Sequence, residues 1–228
     1  MRTLIYVPVI HTSADLGSLA KDVTKRGIAD LGEDVWKEHQ KTVEGFWDAV
    51  SDYFDSIDVS GMKIYQDGMV AEGEIGEKIV QEGLNLGSRN YQLVSRLIIS
   101  RGAILVKTED FNLVKKERDR LLKIIQAKTI AEKISGFIRY KLSKNILLNK
   151  RDGFIAKRID ETLLKEQSGI LFIGAYHNII PKLPGDIQIK EIKIAQKVSD
   201  YQRLLPFCHK NKKQFEELGN YLLSKVKE

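Results

Sequence analysis

Two of the four histidines in this chain follow apolar, β-branched runs directly. His11 closes Leu4-Ile5-Tyr6-Val7-Pro8-Val9-Ile10, and His177 stands just beyond Ile170-Leu171-Phe172-Ile173-Gly174. Asp67 ends a third such run, Met62 to Gln66, and Glu109 and Asp110 come just after a fourth, Ala103 to Val106. In open α/β sheets ligands gather where the strands end, so these residues are the ones expected to share a rim. Two imidazoles and a carboxylate suit a divalent cation such as zinc, manganese or cobalt. An ion held there can acidify water and polarise a carbonyl or phosphoryl oxygen. Without an ion, the same groups suit general acid–base work, because imidazole titrates near neutral pH. Each residue also has a plainer reading, as a hydrogen-bonded loop histidine or as an acid capping the next helix. His39 and His209 read as surface or capping residues, and Cys208 as a buried or idle thiol.

The elements that must position these groups alternate between strand and helix. Pro8 cannot donate a ladder hydrogen bond, which predicts a place at the end of the first strand or in a bulge. Ser13 or Asp15 can cap a helical region that runs from about 16 to 54, weakened by Gly27, Gly32 and Gly45 and so open to division into two helices with a bend. After the turn pair Asp67-Gly68, the acids Glu72, Glu74 and Glu77 load the start of a helix read through to Arg101, with Gly102 as its left-handed end. A long helical stretch follows, with Ile130, Ile134, Ile138, Leu142 and Ile146 spaced as an apolar stripe. A strand over Ile170 to Gly174, another over Ile187 to Ile194 and two helices complete the pattern. The expected fold class is α/β, a mostly parallel central sheet covered by long helices, with a basic helical insertion or outer layer at about 111–165. One domain over 1–228 is the expected organisation.

Composition narrows the field. With 43% hydrophobic and 30% charged residues the chain reads as an ordinary globular protein. A single cysteine excludes an internal disulfide and a cysteine-based zinc site. The first residues lack a cleavage site after their apolar run, and no run reaches the roughly 20 apolar residues of a membrane span, so a cytoplasmic location is expected. The net charge of +6 is uneven: 14 Lys and Arg face 4 Asp and Glu between Lys115 and Arg158. That segment suits a solvated helix, and it also suits an acidic partner or nucleic acid. There is no Gly-x-Gly-x-x-Gly, P-loop, Gly-x-Ser-x-Gly or His-Glu-x-x-His, which counts against the common nucleotide-dependent and serine-hydrolase readings.

The stretch from Arg151 to Ile179, RDGFIAKRIDETLLKEQSGILFIGAYHNI, resembles the carboxyl-terminal signature of the TraB, PrgY and GumN proteins and the related Tiki proteases. In that superfamily an Arg-Asn or Arg-Asp pair opens a helix, and the following strand closes with Gly-x-x-His. Here the matching residues are Arg151-Asp152 and Gly174-Ala175-Tyr176-His177. The family's first signature is another Gly-x-x-His with a hydroxyl-rich turn. Pro8-Val9-Ile10-His11-Thr12-Ser13 stands in that place, with proline for glycine. Asp67 lies nearest the family's next acid, with Glu72 and Glu74 as alternates.

The resemblance implies paired histidines and an acid in one site, and for the Tiki branch divalent-metal-dependent peptide hydrolysis. Erythromycin-esterase-like relatives open an ester. Three expectations follow. The first is a metal-dependent hydrolase in which His11, His177 and Asp67 bind the metal or activate water, Asp67 or Glu109 acts as ligand or base, and Arg151 holds a carboxylate or oxyanion. The second is a binding or regulatory protein that uses the same rim for a peptide or small molecule. The third is a nucleic-acid-binding protein that uses the basic helical segment. The oligomeric state is open.

Overall fold

The computed structural model describes residues 1–12, 14–15, 20–125 and 130–226, with side chains described except at 23, 121, 124–125 and 130–144. Five strands form one parallel sheet: β1 (Arg2–Val9), β2 (Lys63–Gln66), β3 (Ile104–Val106), β4 (Ser168–Gly174) and β5 (Ile187–Glu191). Their order across the sheet is β3-β2-β4-β1-β5. Because side chains alternate across a strand, β1 sends Ile5, Val7 and Val9 to one face and Leu4 and Tyr6 to the other. β4 divides the same way, Ile170 and Phe172 against Leu171 and Ile173. Both faces are buried, which explains why these strands read as continuous apolar runs.

One face is covered by α2 (Glu33–Asp55), α4 (Arg89–Ile99), α7 (Ala195–Leu204) and α8 (Lys212–Leu223). They contribute Phe46, Trp47, Val50, Leu97, Tyr201 and Leu222 to its core. The other face is covered by the end of α6 (Ile130–Thr162), through Ile155, Ala156 and Ile159, with Leu163 just beyond it. The remaining helices are α1 (Ala20–Leu31), α3 (Gly73–Asn85) and α5 (Phe111–Ile125). Among the described residues no helix is long and apolar enough to cross a membrane.

Several local expectations need correction. The helix read from Glu72 to Arg101 is two helices, α3 and α4. Gly87 adopts φ +79°, and Ser88 caps α4 by accepting the Tyr91 amide at 3.1 Å. Gly102 takes the left-handed conformation expected of it, φ +70°. The first helical region divides into two helices at Gly32, φ +87°, one of the glycines expected to weaken it. β5 stops at Glu191 rather than Ile194. The basic stretch is more than an outer layer, because the carboxyl-terminal half of α6 is the crossover that covers the second face. Ile146 is 62% exposed, so its place in the apolar stripe is not a packed one. The side chains of Ile130, Ile134, Ile138 and Leu142 lie outside the described residues, as do Ser13 and the start of the first helical region.

Pro8 sits inside β1, paired with Ile173, one residue before the strand ends. Even-numbered β1 residues face β5, as the Arg2 amide to Asp186 and Ile192 to the Tyr6 carbonyl bonds show. The β5 ladder ends at Tyr6, so the missing amide of Pro8 falls past the last paired residue on that side.

Candidate functional site

The chain leaves β1, builds β2 and β3 to one side, and returns to insert β4 between β1 and β2. That insertion sets three neighbouring strand ends in a row. The residues that follow them are Asp67 after β2, His177 after β4 and His11 after β1. Gly174 pairs with Val9 in the ladder, and the Asp67 amide bonds the Phe172 carbonyl at 2.9 Å, so the three ends are level.

The two imidazoles face one carboxylate oxygen. His11 Nε2 and His177 Nε2 each lie 3.6 Å from Asp67 Oδ2. That spacing is too long for a hydrogen bond and leaves room between the atoms. Each ring has a second acid behind it. His177 Nδ1 is 2.5 Å from Asp152 Oδ1, and the other Asp152 oxygen accepts the Asn178 amide at 3.0 Å. His11 Nδ1 is 3.8 Å from Asp15 Oδ2, which accepts the Thr12 amide at 2.5 Å. Ser88, at the cap of α4, donates its hydroxyl to the other Asp15 oxygen.

Gly174 keeps the space between these groups open. A Cβ there would meet Asp67 Oδ2 at 3.2 Å, His11 Nε2 at 3.5 Å and His177 Cδ2 at 3.5 Å. The glycine is needed for this close approach, not for its backbone angle.

Behind Asp67 lies Arg151. Its Nη2 donates to Asp67 Oδ1 at 2.7 Å and to Glu109 Oε1; Nε donates to Glu109 Oε2 at 2.6 Å, and Nη1 to Glu117. The Gly68 amide also donates to Glu109, at 2.9 Å. Glu109 is fully buried and both of its oxygens are occupied, so it anchors the guanidinium and does not reach the rim as ligand or base. All three guanidinium nitrogens of Arg151 are taken by the protein's own carboxylates. Arg151 and Asp152 lie inside α6 and not at its start.

Five carboxylates (Asp15, Asp67, Glu109, Glu117 and Asp152) thus surround one guanidinium and two imidazoles. Burial favours the neutral form of His177, but Asp152 and Asp67 outweigh it and raise its pKa. The His11 side chain is 39% exposed; partial desolvation lowers its pKa, and Asp67 and Asp15 raise it overall. Burial pushes the Asp67 pKa up, yet the two histidines and Arg151 hold it well below the usual carboxylate range. Burial and the nearby Asp67 push Glu109 up despite Arg151.

The other expected candidates have structural roles. Asp110 accepts the amides of Asn112 and Leu113 at 2.9 and 3.0 Å, capping α5. Glu72 accepts the Lys107 amide at 3.0 Å, and Glu74 is exposed on α3. His39 is half-buried rather than a free surface or capping residue. Its Nδ1 is 3.1 Å from the Tyr201 hydroxyl, the ring stacks on Tyr201, and burial pulls its pKa down to about 4. His209 is exposed in a 3-10 turn before α8, and Cys208 is buried. Of the basic segment, Arg151 is enclosed by acids, and Arg158 bonds the Lys107 carbonyl and Glu161.

The donor types and directions suit a divalent ion, and the gap above Gly174 lies among them. Among the described residues, however, no three His, Cys, Asp or Glu side chains are placed so as to hold a metal ion. Asp67 Oδ2 accepts the Gly174 amide at 3.1 Å, and Oδ1 is taken by Arg151. No protein-family model, curated protein or solved structure matches this chain.

Proposed function

We propose that the chain is a divalent-metal-dependent hydrolase acting on a peptide or ester bond, with His11, His177 and Asp67 holding the metal. One observation carries the reading: two Nε2 atoms share a single carboxylate oxygen at 3.6 Å while each ring has an acid at Nδ1. A carboxylate behind a histidine fixes its tautomer and raises its basicity toward a cation. The excess of buried carboxylates over fixed cations also favours a positive guest. A bound manganese, cobalt or zinc ion would supply Lewis acidity for a carbonyl oxygen and acidify water. The peptide or ester substrate comes from the resemblance of Arg151 to Ile179 to the TraB and Tiki proteins.

Asp152 holds His177 by Nδ1, so that Nε2 is presented to the rim. Arg151 holds Asp67 by Oδ1 and leaves Oδ2 turned toward the histidines. Screening ester and peptide substrates with each of the three metals tests the reading. Turnover that needs metal and is lost in His177→Ala is expected; no turnover with any metal would contradict it.

A second reading, a regulatory protein that binds a small ligand without turnover, is favoured by the prior hold of Arg151 and Gly174 on Asp67. Such a protein would bind ligand at the rim and hydrolyse nothing in the same screen.

A further inference from the structure

A cavity of about 660 Å³ opens beside His11 and extends along α2. Its α2 wall is a stripe at helical spacing in which Trp36, His39 and Val43 give an apolar, aromatic surface, with Glu44 and Asp48 beyond. Arg89, at the start of α4, is bonded to Asp48, so those two charges offset each other. His39 is neutral at pH 7, because burial holds its pKa near 4. The first turn of α4 would attract an anion, but its Tyr91 amide is already capped by Ser88. Glu44 is therefore the one lining charge without an ionic partner among the described residues.

We propose that this cavity is the substrate cleft of the hydrolytic site and that it accepts an apolar group of aromatic size bearing an amine. The ring lies against the small exposed parts of Trp36 and Val43, and the ammonium meets the exposed Glu44. The word substrate rests on the reading of the rim as the reacting centre, whereas the binding chemistry rests on the cavity alone.

Phenethylamine, 2-phenylethanol and phenylacetate share a ring and differ in charge, and tryptophan fluorescence reports their binding. Both tryptophans are largely buried, but Trp47 is 2% exposed with its indole N–H on the Ile10 carbonyl, whereas Trp36 is 9% exposed and lines the cavity, so the signal belongs to Trp36 and disappears in Trp36→Phe. The amine is expected to bind about fivefold more tightly than the alcohol, with the anion weakest. Glu44→Gln brings amine and alcohol level. The ranking persists in His177→Ala, which removes the centre and does not line the cavity. A protein that ranks the amine first but hydrolyses nothing overturns the reading of the centre and leaves the cleft's chemistry standing. No response to the amine at millimolar concentration, an anion bound as well as the amine, or a ranking unchanged by Glu44→Gln overturns the cleft.

Discussion

Asp152 Oδ1 lies 2.5 Å from His177 Nδ1, a bond that joins the interior of α6 to the end of β4 across 25 residues of sequence. The acid is buried and also holds the Asn178 amide, so it fixes both the ring and the backbone that follows it. Replacing Asp152 by Asn keeps the shape and removes the charge. Metal affinity in Asp152→Asn is expected to fall about 10–100-fold, the usual effect of removing such a partner. Calorimetric titration measures it; unchanged affinity would mean that His177 is not oriented through this bond.

Among the described residues, Arg151 is the one fixed cation paired with Asp67, Glu109 and Glu117. Removing it strands a fully buried Glu109, so Arg151→Met is expected to lose about 3–5 kcal/mol of stability in urea unfolding. Arg151→Lys should rescue little, because an ammonium cannot supply the fork that bonds three carboxylates at once. A lysine variant as stable as the parent would show that charge alone holds the cluster.

At Gly174 the prediction separates space from strain. A methyl group there meets Asp67 and both rings at 3.2–3.5 Å, so Gly174→Ala should cost about 1–3 kcal/mol through overpacking. Gly174→Val should abolish metal binding altogether, since its larger side chain fills the space between the donors. Retention of metal binding by a folded valine variant would place the ion elsewhere.

The site also predicts a pH dependence whose direction reverses with metal. Both histidines have raised pKa values in the folded protein. Their contribution to stability is complete below the unfolded value of about 6.5 and is lost as pH rises through the higher folded values. Asp67 is depressed, so its contribution is present above about 3.9 and is lost as pH falls through its lower folded value. In chelator, urea stability should therefore decline as pH rises above about 6.5, and His11→Gln with His177→Gln should flatten that decline. Added metal should stabilise more as pH rises, because an ion needs neutral imidazoles. A parent protein whose stability in chelator is level across neutral pH would contradict the pairing.

The sheet and the three rim residues were legible because their signals are local. β1 and β4 are long β-branched runs, and the strand-end rule selects His11, Asp67 and His177 without any tertiary knowledge. The supporting acids were not legible in the same way. Asp15 has the spacing of a helix cap, Glu117 sits in a basic stretch, and the role of Asp152 depends on where α6 crosses the sheet. Glu109 was visible as a strand-end acid, yet only its burial shows that it serves Arg151. The break at Gly87 was missed because apolar spacing continues through α3 and α4, and the positive φ that divides them leaves no periodic trace. His39 was misread because its partner, Tyr201, lies 162 residues away.

Titration of the metal-stripped protein with manganese, cobalt and zinc tests the shared-ion geometry most directly. One ion per chain is predicted for the parent, with binding abolished when His11 and His177 are both replaced by Ala. The same affinity and stoichiometry in the double variant, or no binding of any of the three ions to the parent, would contradict it.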